Sequence, residues 1–144
     1  MTGAMEKRGK KEFYAGGFFY DPRTKSVLLH KRSPDAEFNP DKWAFFGGLS
    51  ENEETPIETW KREIKEELDV DLPENRIKPL RDYYNEDRQQ HRYIFFAESD
   101  LPKSEMTLGE GADFDWIPLD EVFGYDLTAK TAEDLRFFIE NFLG

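Results

Sequence analysis

The chain has 144 residues, room for one domain with its own core and too few for two. It holds no cysteine, which excludes disulfides and thiolate metal sites, and its net charge of −11 opposes duplex nucleic-acid binding through phosphate contacts. No apolar run approaches the roughly 20 residues of a membrane span, so no membrane partner is expected.

The opening MTGAMEKRGKKE is basic but leads into no apolar segment, unlike a signal peptide. With the lack of cysteine this fits a cytoplasmic protein, and residues 1–11 are treated as a flexible lead-in to a single domain spanning 1–144. FYAGGFFY (13–20) reads as a strand in which Gly16 and Gly17 mark a bulge or a close approach. DPRT (21–24) supplies a turn, and SVLLHK (26–31) returns as a second strand. RSPDAEFNPDK (32–42) is a loop by composition, and WAFFGG (43–48) is a short apolar run closed by two glycines.

The clearest helix follows. Thr55 is its N-cap, Pro56 its first residue, and Glu58 completes a capping box. Ile57, Trp60, Ile64 and Leu68 recur at helical spacing as one apolar stripe, with Glu63, Glu66 and Glu67 forming an acidic arc beside it. Like charges one turn apart repel by a few tenths of a kcal/mol, so a helix built only for solubility would alternate signs.

RIKPLRDYY (76–84) and HRYIFFAE (91–98) read as strands joined by a polar loop, Pro79 placing a bulge or an edge in the first. FDWIPL (114–119) is a further strand, with a short helix near Asp120–Phe123. Thr131 is the expected cap of a last helix that turns Leu135, Phe138, Ile139 and Phe142 inward, with Gly144 closing the chain. Strands mixed with two main helices place the chain in the α/β class.

Residues 47–70, GGLSENEETPIETWKREIKEELDV, contain Gly48, five residues, Glu54, seven residues, then Arg62-Glu63-Ile64-Lys65-Glu66-Glu67-Leu68-Asp69-Val70. This resembles the Nudix box, G-x5-E-x7-R-E-U-x-E-E-x-G-U with U a bulky aliphatic. Each defined position matches except Asp69, which stands where the pattern has Gly. That position follows the helix, where chains often turn left-handed; Asp tolerates this at about 1 kcal/mol relative to Gly. LGEGADFDWIPLDEV (108–122) is similar to the loop, strand and short helix that often follow the substrate strands in this family, whereas Phe46 replaces a proline common there.

The resemblance implies an α/β/α sandwich around a mixed sheet and hydrolysis of a pyrophosphate bond in a nucleoside diphosphate derivative. The expected substrate is a nucleotide sugar or a (deoxy)nucleoside triphosphate. By analogy Glu63, Glu66, Glu67 and the Gly47 carbonyl hold Mg²⁺ or Mn²⁺, hard ions that prefer oxygen ligands. Arg62 orients a carboxylate, while Gly48 and Glu54 keep loop and helix in register. The water-activating base is a box glutamate, Glu110 or Asp113.

Arg32, which with Lys31 ends the second strand, is a candidate phosphate contact or a surface ion pair. Phe46, together with Phe38, Trp43 and Phe45, is a candidate for stacking on a base or for the core. Arg92 lies with Tyr83 and Tyr84 on the substrate-side strands. His30 and His91 read as structural or surface residues. The plain alternative for the glutamates is a solvated face with Glu58–Arg62 and Arg62–Glu66 pairs. Competing classes are a non-catalytic nucleotide sensor or regulator and a metal-binding interaction module. A homodimer would use an exposed first strand or an aromatic patch.

Overall fold

The computed structural model describes residues 12–109 and 111–143; the lead-in 1–11, the candidate base Glu110 and the closing Gly144 lie outside the described residues. The strands are β1 (Tyr14–Asp21), β2 (Ser26–Lys31), β3 (Trp43–Ala44), β4 (Phe46–Leu49), β5 (Lys78–Asn85), β6 (Gln90–Glu98) and β7 (Asp113–Pro118). The helices are α1 (Pro56–Leu68) and α2 (Ala129–Phe138).

One mixed sheet joins all the strands. β1 runs parallel to β6, and its other edge is shared: Phe19–Asp21 pair antiparallel with β2, Tyr14–Gly17 with β4. The first strand is therefore internal, which removes it as the exposed edge expected to support a homodimer. β2 also pairs with β7 and β3, and β5 pairs with β6 across a register shift between Pro79 and Arg81, as a proline without a ladder donor requires.

Consecutive aromatics on each strand serve opposite faces, as period-2 side chains must. Phe19, Leu28, Phe46 and Phe95 face α1 with Trp60, Ile64 and Leu68. Phe18, Leu29, Phe45 and Phe96 face α2 with Leu135 and Phe138. The fold is an α/β/α sandwich. Gly17 provides a close approach: an added Cβ would run into the Phe95 carbonyl oxygen and stand 2.9 Å from the Trp60 ring.

α1 begins as its sequence specifies. Thr55 Oγ1 accepts from the Glu58 N–H (3.2 Å), and the Glu58 carboxylate accepts from the Thr55 N–H (2.9 Å). Glu58 thus caps the helix instead of pairing with Arg62. α2 starts earlier than expected: Thr128, not Thr131, is the cap, its hydroxyl accepting from the Thr131 N–H at 3.2 Å. Beyond α2 the chain widens into a π-type turn over Ile139–Leu143, which leaves Phe142 48% exposed against Phe96 and Phe138 instead of inside the core.

Asp69 ends α1 at φ 57°, ψ 41°, its N–H donating to the Lys65 carbonyl. Its carboxylate lies 3.0 Å from Lys65 Nζ on the open surface. Asp69→Gly removes the Cβ penalty of this conformation, up to about 1 kcal/mol, and should raise the melting temperature by up to about 4 °C with hydrolysis unaffected. A lower melting temperature in that variant would show that the ion pair outweighs the backbone strain.

Candidate active site

The site grows from one side of α1. Arg62 faces the β4–α1 loop, and its guanidinium meets Glu54 through Nε (2.7 Å) and Nη2 (3.0 Å), Glu63 through Nη1 (3.0 Å), and the Leu49 carbonyl through Nη2 (3.0 Å). Glu66 lies 3.3 Å from Nη1. Glu54 also accepts from the Glu51 N–H and the Thr59 hydroxyl, both at 2.9 Å. These hydrogen bonds, led by Arg62, pull its pKa down to about 2. One guanidinium therefore ties loop, strand end and helix into a single unit.

Glu63 is buried, and burial raises its pKa against the lowering influence of Arg62; Glu66 and Glu51 raise it further. An alanine Cβ at position 48 would collide with Glu63 Oε2, so Gly48 makes room for that carboxylate.

Glu63, Glu67 and Gly47 line one cavity of about 390 Å³ together with His30, Arg32 and Gly111. The donors are carboxylate and carbonyl oxygens, which suit a hard divalent cation. Gly47 reaches the cavity because β4 packs tightly on β1: a Cβ there would stand 2.5 Å from the Ala15 carbonyl oxygen. Among the described residues no three acidic or histidine side chains are grouped closely enough to hold a metal ion, and Glu66 lies 3.3 Å from Arg62 and does not line the cavity. The donor chemistry fits a divalent ion, with Glu63, Glu67 and Gly47 already at the cavity.

The other expected residues divide. Arg32 stands at the site, lining this cavity and its neighbour. Phe46 does not: it is 1% exposed in the core, its ring against His30 and its carbonyl accepting from Trp60 Nε1 at 3.0 Å, so it has no free face for a base. Arg92 lines the neighbouring cavity with its guanidinium tied to Asp134 (3.0 Å). Asp113 turns to Lys103 (3.3 Å) and the Phe114 N–H (2.8 Å) and does not line the carboxylate cavity. The Phe114 N–H, and then Lys103, hold its pKa below the usual aspartate value.

His30 is nearer the chemistry than its sequence suggests. Its Nε2 faces the Phe45 carbonyl at 3.1 Å, which places the proton on Nε2, and burial lowers its pKa to about 4. It is a neutral wall of the cavity. His91 pairs with Asp82 at 2.7 Å, away from the site. Asp134, unmarked in the sequence reading, is fully buried and accepts from Arg81 (2.8 Å), Tyr83 (3.0 Å) and Arg92 (3.0 Å). Burial lifts the Tyr83 hydroxyl to about 12, so it stays protonated as a donor. The available signal was spacing: Thr131, Asp134, Leu135 and Phe138 share one buried stripe of α2.

A mixed sheet between two helices, with an acidic helix side clamped by one arginine beside a glycine strand, defines a Nudix fold. The NUDIX domain family model matches residues 10–142, and the chain belongs to that family as a Nudix-type pyrophosphohydrolase. It is 32% identical over 114 residues to nucleoside triphosphatase NudI of Klebsiella pneumoniae, covering 72% of this chain and 81% of that protein. It is 29% identical over 121 residues to NudI of Escherichia coli, covering 77% and 86%. Among solved structures, the NUDIX domain of Shewanella oneidensis NrtR, complexed with ADP ribose, superposes with TM-score 0.71 at 19% identity, covering 97% of this chain and 98% of that one. A MutT protein from Methanosarcina mazei Go1 gives 0.69 at 20%, covering 90% and 94%. Among the described residues no helix is long and apolar enough to cross a membrane.

Proposed function

We propose that this chain hydrolyses the pyrophosphate linkage of a nucleoside triphosphate, or otherwise of a nucleotide sugar, with Glu63, Glu66, Glu67 and the Gly47 carbonyl holding Mg²⁺ or Mn²⁺. The observation that carries the reading is the convergence of Glu63, Glu67, Gly47 and Arg32 on one cavity. The NudI relatives, named as nucleoside triphosphatases, favour the triphosphate.

When bound, the cation supplies positive charge for the phosphate oxygens and makes water more acidic near neutral pH. Arg62 orients Glu63 and Glu66 by hydrogen bonds and ion pairing, and Glu54 anchors Arg62. Arg32, at the junction of two cavities, meets a substrate phosphate. Water adds to phosphorus, the bridging P–O bond breaks, and two phosphorylated products leave. The water's proton passes to a glutamate of this set or to Glu110.

The test is a panel of nucleoside and deoxynucleoside triphosphates, nucleotide sugars, dinucleotides and ADP-ribose incubated with Mg²⁺ and read by mass spectrometry. Metal-dependent release of two phosphorylated products from triphosphates is expected. A thermal shift with one ligand but turnover of none would replace this reading with a nucleotide sensor.

A further inference from the structure

Gly16 and Gly17 stand side by side in β1, and different neighbours require them. Gly17 admits the Phe95 backbone, whereas Gly16 admits the end of Tyr14, two residues back on the same face of the sheet. A Cβ at position 16 would run into the Tyr14 hydroxyl and stand 2.6 Å from the ring carbon that bears it. A Cβ at Gly47, opposite Gly16 in the ladder, would stand 2.7 Å from the same hydroxyl. Two glycines thus open a seat for one phenol oxygen, against the backbone of the proposed ligand residue Gly47.

The ring is held by its ladder partner on β6. Arg92 sets its guanidinium carbon 4.7 Å from the Tyr14 ring centroid, and Asp134 in turn fixes Arg92. Packing accounts for the ring but not for the oxygen. A hydroxyl in such surroundings ordinarily finds an acceptor, as Tyr83 does at Asp134 (3.0 Å). Among the described residues the Tyr14 hydroxyl has none, and the side chain is engaged through its ring alone. Tyr14, Gly47, Arg92 and Arg32 all line the second cavity, about 370 Å³, and Gly47 and Arg32 line the carboxylate cavity as well. Burial raises the pKa of this hydroxyl and outweighs the lowering influence of Arg92, so it stays a protonated donor.

We propose that the Tyr14 hydroxyl donates a hydrogen bond to a charged phosphate oxygen of the substrate where the two cavities meet, with Gly16 and Arg92 positioning it. Tyr14 is then a substrate-binding residue that lies outside the acidic motif. This rests on the hydrolase reading for the position of the phosphates. Arg32, Arg88, Arg92 and Lys130 line the same cavity against one acid, Asp87, which favours an anionic acceptor in a chain whose net charge is −11. A phosphate oxygen carries negative charge before and during P–O cleavage, so the bond is made alike in the ground state and the transition state. Its loss weakens binding and leaves the rate of the bound complex nearly unchanged.

Tyr14→Phe tests this in the full chain. The binding probe is methylenediphosphonate with Mg²⁺, a pyrophosphate analogue whose P–C–P bridge resists hydrolysis. Loss of a hydrogen bond to a charged group should raise KM for a nucleoside triphosphate and the calorimetric Kd of the diphosphonate about tenfold, with kcat changing less than about threefold. The melting temperature should stay at the wild-type value, because among the described residues the hydroxyl bonds to nothing. Gly16→Ala keeps the hydroxyl but drives it off its seat, and should raise both constants too. Unchanged KM and Kd in Tyr14→Phe would overturn the proposal while leaving the hydrolase intact. A fall in kcat at unchanged KM would also overturn it, since the hydroxyl would then act by holding the Gly47 backbone. If the wild type turned over nothing, the hydrolase reading would fall, and the diphosphonate Kd alone would decide whether the hydroxyl meets phosphate.

Discussion

Glu67→Gln is expected to lower kcat at least about 100-fold, equivalent to about 2.7 kcal/mol of lost transition-state stabilisation, with a melting temperature close to wild type. The substitution keeps shape and volume and removes one negative charge from the cavity that Glu67 shares with Glu63 and Gly47. A neutral amide holds a divalent cation far less well than a carboxylate, so raising Mg²⁺ should recover part of the activity. Kinetics at saturating nucleotide over a range of Mg²⁺, alongside thermal denaturation, check both halves. Wild-type kcat at limiting Mg²⁺ would show that Glu67 is an ordinary helix-surface acid.

The second large effect is structural and reaches the site. Trp60 is fully buried on α1, its ring stacked on Phe95 at 5.9 Å and edge-on to Phe19 at 6.4 Å. Its Nε1 donates to the Phe46 carbonyl, one residue before the proposed ligand carbonyl of Gly47. Trp60→Ala should lose about 3–5 kcal/mol from lost apolar burial and the cavity left behind, a large part of the stability of a domain this size. Trp60→Phe fills most of the volume but leaves a buried carbonyl without its donor, a loss of about 1–3 kcal/mol. It should therefore fold, with β4 held less firmly and kcat reduced. Denaturant unfolding and kinetics on Trp60→Phe separate the two roles: reduced stability with full kcat would mean that the bond steadies the core without placing Gly47.

What the sequence could disclose follows from how local each cause is. α1 was legible because cap, proline, apolar stripe and left-handed Asp69 are all set by neighbouring residues. α2 was misplaced by three residues because two threonines can cap it. The choice is tertiary: the Trp43 N–H donates to the Asp126 carbonyl (2.8 Å) and the Thr128 N–H to the Trp43 carbonyl (3.0 Å), fixing the chain just before the helix.

Phe46 takes the core alternative and not the stacking one for a related reason. On a sheet covered by helices on both faces, adjacent aromatics such as Phe45 and Phe46 are both buried, and the exposed ring falls in the irregular loop at Phe38. Asp134 escaped notice because its partners come from β5 and β6, more than 40 residues away in the chain. The spacing of the acidic motif carried Glu54, Arg62 and Glu63 to one place, and the i,i+4 pair of Arg62 with Glu66 follows from the same spacing.

The most direct measurement is a Mg²⁺ titration of nucleoside triphosphate hydrolysis in wild type and Glu67→Gln side by side, with products separated and quantified. The account predicts saturable Mg²⁺-dependent hydrolysis in the wild type, and a curve displaced to higher Mg²⁺ with a much lower plateau in the variant. Superimposable curves, or hydrolysis in the wild type that survives complete chelation, would contradict it.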